Sequence, residues 1–209
     1  LIWTFGFSEG IKEMIFEGNL SDVKIRRKDR TKNMPKELNT QKIPLSAFDP
    51  RGDTLYTWLG MAGVLINAGG TIILVDPLIT LANSADPNGC ESGYPLKVPL
   101  PIQAHEVPRA DMVLYTHADD DHFGRLTAGV FAERLECSFI APLPVTHMLA
   151  ALGVPQERIV IARDYESIRV GQVDITITPA LHDWQEETPW KRGDCCGYLI
   201  KTPGGTIWH

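Results

Sequence analysis

The sequence has no apolar run long enough to cross a membrane, and it lacks an obvious export signal. A membrane-spanning helix takes about 20 consecutive apolar residues, and no stretch of the 209 residues approaches that length. The N-terminus also lacks the basic region followed by an apolar region that marks a secretory signal peptide. These absences predict a protein that neither spans a membrane nor is exported.

Cysteine and positive charge are also scarce. The four cysteines show no C-x-x-C spacing, and two of them are adjacent. Such a set makes a poor disulfide framework, which favours a reduced, cytoplasmic setting. Acidic residues outnumber basic ones 26 to 20, for a formal net charge of −6. Because this charge disfavours nucleic acids and anionic membranes as partners, we expect a small-molecule substrate. The formation of a homo-oligomer is an alternative that the sequence leaves open.

The length and the 44% hydrophobic content predict one globular domain that follows an N-terminal segment. Residues 1–50 are expected to hold an amphipathic helix, ending at Gly18, and a polar extended stretch that wraps the surface. Residues 51–209 are expected to form the folded domain. A loop rich in Pro and Gly interrupts this domain at 77–110, and a loop of that length is usually functional or an insertion.

Apolar patterns predict strands on both sides of the long loop and helices only after it. After residue 110, short buried strands alternate with two helices, and Gly153 is expected to end the second helix. Two β-hairpins follow, one turning near Gly171 and one at Pro203-Gly204-Gly205. The pattern stops in mid-strand at His209. This predicts a longer natural chain, of which the sequence holds little more than the N-terminal half of the fold.

The densest group of ionisable residues is the stretch THADDDHFG at 116–124. Its three consecutive aspartates repel one another, and a divalent ion would relieve that repulsion. Alternation at the end of the preceding strand directs His117 and Asp119 to one spot, and Asp121 and His122 to a neighbouring one. Imidazole and carboxylate groups are ligands that zinc, manganese and iron accept. The alternative, helix capping, needs one aspartate and leaves both histidines unexplained.

The order of these residues resembles the His-x-His-x-Asp-His signature of the metallo-β-lactamase fold, with Asp119 in place of the second histidine. WLGMAGVLINAGGTIILVDP resembles the opening strands of that fold, and ITPALHDW resembles a segment with a further histidine ligand, here His182. GYLIKTPGGTIWH is similar to the strand pair that leads into a Gly-Asp dipeptide, whose aspartate bridges two metals. Within the superfamily, the chain most resembles the L-ascorbate-6-phosphate lactonase-like branch.

This resemblance implies an α+β fold, the αββα sandwich, with one or two divalent metal ions (Zn, Mn or Fe) at the sheet edges. It implies that His117, Asp119 and His182 bind the first ion. It implies that Asp121 and His122 bind the second ion, and that Asp121 is the catalytic residue that orients the attacking water. The oxygen ligand from Asp119 favours manganese or iron without excluding zinc.

Two further residues have supporting roles by the same resemblance. Asp76, which closes the apolar strand TIILV, is expected to hydrogen-bond to the backbone of the metal loop or to a ligand histidine. His209 is expected to support a ligand rather than bind an ion. The bridging aspartate and the last histidine of the family would lie beyond this residue.

Metal-dependent hydrolysis is the activity that the resemblance implies, with a small lactone, such as that of a phosphorylated sugar acid, as the substrate. Two alternatives stay open. One is phosphodiester hydrolysis on the same scaffold. The other is a degenerate relative that binds a ligand or partner without turnover, which the aspartate at position 119 and the absent C-terminal ligands keep open.

Overall fold

The structure is a computed structural model that describes residues 40–86, 89–182 and 191–209. The predicted N-terminal helix and most of the predicted wrap therefore lie outside the described residues. The end of the wrap contains a single 3-10 turn at Leu45–Phe48, in which Phe48 is buried. Residues 40–50 thus contribute an apolar side chain to the core of the domain.

The first sheet has six strands in the order β1-β2-β3-β4-β5-β6. Its strands are β1 (Thr54–Gly60), β2 (Gly63–Ala68), β3 (Thr71–Val75), β4 (Met112–Leu114), β5 (Ser138–Ala141) and β6 (Ile159–Ile161). Strands β1 to β3 are antiparallel, whereas β3 to β6 are parallel. Parallel neighbours need crossover connections. The long loop and the helices α1 (Arg125–Arg134) and α2 (Leu143–Ala151) provide three of them.

The second sheet has four antiparallel strands in the order β10-β9-β8-β7. Its strands are β7 (Ser167–Val170), β8 (Val173–Pro179), β9 (Cys196–Thr202) and β10 (Gly205–Trp208). Both predicted hairpins are present. Gly171 adopts a left-handed φ of 53° at the first turn, and a side chain there would collide with Thr71. Glycine fits that position for both reasons.

Two apolar cores separate three layers. Phe131 of α1 and Leu149 of α2 pack against one face of the first sheet. On its other face, Ile66 lies in a core shared with Ile175 and Tyr198 of the second sheet. The layers therefore follow the order helix, sheet, sheet, which are three of the four layers of an αββα sandwich. Neither α-helix of the described residues could span a lipid bilayer.

The end of α2 shows how local sequence sets an element boundary. Gly153 has a left-handed φ of 85° directly after the cap residue. Its amide donates to the carbonyl of Ala150 at 3.0 Å, and the amide of Val154 donates to Leu149 at 3.1 Å. This pair of bonds is a Schellman motif. The predicted role of Gly153 is therefore confirmed.

Candidate metal centre

The stretch 116–124 leaves the C-terminal end of β4 and leads into α1. Ligands commonly bind in crevices at the carboxyl ends of parallel strands. The stretch folds into a tight turn, in which the amides of His122 and Phe123 donate to the carbonyl of Asp119 at 2.9 and 2.8 Å. The turn brings the ring of His122 to 3.9 Å from that of His117, measured between centroids. We call residues 116–124 the metal loop.

The first candidate ion group comprises His117, Asp119 and His182. Asp119 Oδ2 lies 3.6 Å from His117 Nε2 and 3.8 Å from His182 Nε2. A tetrahedral ion with ligands at about 2.0–2.1 Å separates its ligand atoms by roughly 3.4 Å, so this spacing suits one shared ion. His182 follows the end of β8, in the second sheet. The first group therefore draws its ligands from both sheets.

The second candidate ion group comprises His117, Asp121 and His122, whose ligand atoms all lie within 4.8 Å of one another. The structure thus brings together all five residues that the sequence predicted as ligands. It also places His117 in both groups, whereas the sequence assigned His117 to the first ion alone. Asp120, the remaining aspartate of the metal loop, is exposed and belongs to neither group.

Asp76 lies directly after β3 and holds the start of the metal loop. Its fully buried carboxylate accepts hydrogen bonds from the Thr116 amide at 2.7 Å and the Thr116 hydroxyl at 2.6 Å. It is also 2.8 Å from His122 Nδ1 and 3.3 Å from His209 Nε2. The expected contacts to the loop backbone and to a ligand histidine are both present. Asp76 has a left-handed φ of 42°, a strained conformation that tends to occur at functional sites.

Thr116, which no sequence motif marks, and Asp76 together determine which nitrogen carries hydrogen in the rings of His117 and His122. Its hydroxyl has one hydrogen and donates it to Asp76. The hydroxyl must then accept from His117 Nδ1, which is 2.9 Å away. His122 Nδ1 in turn donates to Asp76. Both histidines thereby carry hydrogen on Nδ1, which leaves Nε2 as the nitrogen that would bind an ion.

The charges of the site follow from burial and from these hydrogen bonds. Burial by itself would raise the pKa of Asp76, but hydrogen bonds from His122 and His209, and their charges, lower that pKa to about 2. Burial and the neighbouring charge of His122 lower the pKa of His117 to about 4. Burial would also lower the pKa of His122, yet the hydrogen bond and charge of Asp76 raise it. At neutral pH, His117 is therefore neutral and Asp76 is a carboxylate.

His209 lies just after β10 and joins the site from the second sheet. Its backbone amide and carbonyl pair with those of Tyr198 at 2.9 and 2.8 Å. Its ring reaches Asp76 rather than either ion group. This position agrees with the expected supporting role.

Glu91, in the long loop, is a second residue that the sequence analysis missed. Its carboxylate accepts hydrogen bonds at the N-terminus of α1, 35 residues further along the chain. The cap position of that helix is Gly124, which has no side chain for capping. A glycine at the start of a helix indicates that another residue must cap the helix. The sequence does not indicate which residue does so.

Comparisons with known proteins agree with this architecture. A family model described as "Beta-lactamase superfamily domain" matches residues 71–209. A UPF0173 metal-dependent hydrolase of Pyrococcus furiosus is 30% identical over 153 residues, which are 73% of this chain and 59% of that protein. A UPF0173 metal-dependent hydrolase of Anaeromyxobacter dehalogenans is 27% identical over 168 residues, 76% of this chain and 56% of that protein. The chain therefore spans less than two thirds of the length of either relative.

Two solved structures share the fold. CmlA, a diiron β-hydroxylase from Streptomyces venezuelae, aligns with a TM-score of 0.55 and 21% identity over 75% of this chain and 29% of its own. A possible metal-dependent hydrolase from Veillonella parvula aligns with a TM-score of 0.53 and 15% identity over 75% of this chain and 61% of its own. At such low identity the likeness concerns the fold alone, and with the family match it confirms the predicted α+β sandwich.

Proposed function

Because this chain belongs to the β-lactamase superfamily, we propose that it carries the metal-binding part of a hydrolase with a small-molecule substrate. One observation carries the proposal: two ion groups, made from five ionisable side chains, meet at the buried His117. The two UPF0173 relatives, both called metal-dependent hydrolases, support it. The acidic net charge supports a substrate other than nucleic acid.

The donor set fits divalent ions. His117, Asp119 and His182 would hold one ion, while Asp121 and His122 would hold a second beside it. Mixed imidazole and carboxylate ligands suit zinc, manganese and iron, and the oxygen of Asp119 shifts the preference towards manganese or iron. When bound, such an ion supplies Lewis acidity and lowers the pKa of a bound water.

The protein's own residues then have distinct tasks. Asp121, the proposed catalytic residue, accepts a hydrogen bond from the attacking water and takes up its proton at a carboxylate oxygen. Water adds to the lactone carbonyl carbon, the ring C–O bond breaks, and the proton passes to the alkoxide that leaves. Asp76 takes no proton in this step. It stays ionised and holds Thr116 and His122 in place.

A lactone of a phosphorylated sugar acid is our proposed substrate, on the basis of the resemblance to the lactonase-like branch. Glu91 of the loop at 77–110 contacts the start of α1 and the last residue of the metal loop, and we propose that this loop lines the substrate site. A reducing, cytoplasmic location belongs to the same proposal. It is supported by four cysteines that are buried as free thiols.

A turnover assay tests this proposal on the full-length natural protein, loaded with manganese or zinc. We expect hydrolysis of sugar-acid lactones, and a fall in kcat of about 100-fold or more for Asp121→Ala. Asp120→Ala, in the exposed neighbour, serves as the matched control and should retain activity. Hydrolysis of bis(p-nitrophenyl) phosphate without lactone turnover would replace the lactonase with a phosphodiesterase. If the protein binds neither manganese nor zinc, and neither ion changes its thermal stability, the remaining interpretation is a degenerate relative that binds a ligand or partner without turnover.

A further inference from the structure

We propose that Glu91 is a positioning residue for the metal loop, which it holds at the end opposite to Asp76. The inference rests on the proposed function, since the purpose of the positioning is metal binding. It assigns a role to a segment of the long loop that neither the sequence motifs nor the ion groups include.

The carboxylate of Glu91 caps α1, although Glu91 lies 35 residues before Leu126 in the chain. It accepts a hydrogen bond from the amide of Leu126 at 2.6 Å, and others from the amide of Thr127 at 3.2 and 3.3 Å. It also accepts from the Thr127 hydroxyl. Leu126 and Thr127 are the second and third residues of α1, whose amides have no partner within the helix. An N-cap side chain normally serves these two amides.

Thr127 and Glu91 also form hydrogen bonds with Ile79 and Thr80, at the start of the long loop. Thr127 is fully buried, and its hydroxyl accepts from the Ile79 amide at 3.0 Å and lies 2.9 Å from the Thr80 hydroxyl. The amide of Glu91 itself donates to the Thr80 carbonyl at 3.1 Å. The start of α1 is therefore bonded to both ends of the 79–91 segment.

Glu91 is also in close contact with Gly124, the last residue of the metal loop. A Cβ added to Gly124 would lie 2.5 Å from Glu91 Oε1, so the carboxylate occupies the space of a side chain. Gly124 has a φ of −79°, which any residue adopts. The requirement for glycine at this position therefore comes from the close approach of Glu91 rather than from the backbone conformation.

The metal loop is thus held by two carboxylates from one segment. Asp76 binds its first residue, Thr116, and Glu91 covers its last residue, Gly124. Both come from the connection between β3 and β4. The candidate ligands at 117–122 lie between the two points. Loss of the Glu91 contact would leave Asp121 and His122, the candidate ligands nearest to it, more mobile. Metal binding would then cost more conformational entropy.

Glu91→Gln tests the inference, because one of the two acceptor oxygens at the start of α1 becomes an NH2 group that cannot accept a hydrogen bond. The readouts are the Kd for Mn²⁺ or Zn²⁺ by calorimetry and hydrogen exchange of amides 122–127 in the metal-free protein. We expect Kd to rise about 10-fold and exchange at 122–127 to accelerate. Glu106→Gln is the matched control, since that carboxylate caps a 3-10 turn in the same loop and accepts from Gln103 at 2.7 Å. It should leave both readouts unchanged.

A second variant keeps the charge of Glu91. Gly124→Ala should displace the carboxylate and reproduce both effects, while Ile159→Val, in the edge strand β6, controls for a general loss of stability. The proposal is overturned if the Kd of Glu91→Gln matches that of the parent or rises no more than that of Ile159→Val. If the parent itself binds neither ion, the proposed function fails together with this inference. Normal binding by the parent and by both cap variants overturns this inference alone.

Discussion

The two candidate ion groups share His117 but depend on different parts of the fold. The first group is completed by His182 from the second sheet, so its geometry depends on how the two sheets pack. The second group is completed within one turn of chain, and its His122 is oriented by the buried Asp76. Ion binding in the first group should therefore respond to changes in the packing of the sheets. Ion binding in the second group should respond to changes at the Asp76 carboxylate.

Asp76→Asn should have the largest effect and should act mainly on the second group. The variant loses the charged acceptor of His122, and support of this kind is typically worth 10- to 100-fold in metal affinity. The folded pKa of Asp76, about 2, is below the ordinary value of 3.8. Its ionisation therefore stabilises the fold above pH 3.8, by about 2 kcal/mol, and this contribution is lost as the pH falls towards 2.

Denaturant titrations of both proteins at several pH values between 2 and 7 measure this difference. The variant should be less stable than the parent at pH 6, and the gap should narrow as the pH is lowered. An equal gap across the whole range would show that ionised Asp76 does not hold the metal loop.

Asp119→His changes only the first group. It replaces the oxygen ligand with a nitrogen and removes a negative charge, so the ratio of zinc affinity to manganese affinity should rise about ten-fold. Competition titrations with the two ions give this ratio, and Asp120→His, at the exposed neighbour, should leave it unchanged. A shift at the second group instead of the first would mean that the two groups are not separate.

Tyr198→Phe should have the smallest effect and should act through the second sheet. The Tyr198 hydroxyl bonds to the backbone carbonyls of Tyr115 at 2.7 Å and Ile140 at 3.2 Å. Its loss should cost about 1 kcal/mol in the free energy of unfolding and weaken the first group more than the second. Tyr115→Phe is the matched control, because the Tyr115 hydroxyl is buried without a hydrogen bond among the described residues. That variant should be as stable as the parent or more so in thermal unfolding, and destabilisation would contradict this account.

Much of this architecture could be predicted from local sequence, because strands such as TIILV are continuous apolar runs and Gly153 marks a helix end. The role of Asp76 followed from the family resemblance. The sharing of His117 could not be predicted from alternation along a strand, because the turn at Asp119 folds His122 back onto the preceding residues. Glu91 was missed because its cap joins residues 35 apart, and no local pattern encodes that contact.

His117 is common to both candidate ion groups, but with hydrogen on Nδ1 it offers one nitrogen, Nε2, and therefore binds one ion at a time. The most direct test is a calorimetric titration of His117→Ala with Mn²⁺ and Zn²⁺, alongside the parent and His147→Ala, which removes an exposed histidine of α2. His117→Ala should lose the tightest metal binding of the parent, while His147→Ala should bind like the parent. A His117→Ala protein that binds the tightest ion with parental affinity would contradict the assignment of His117 as a metal ligand.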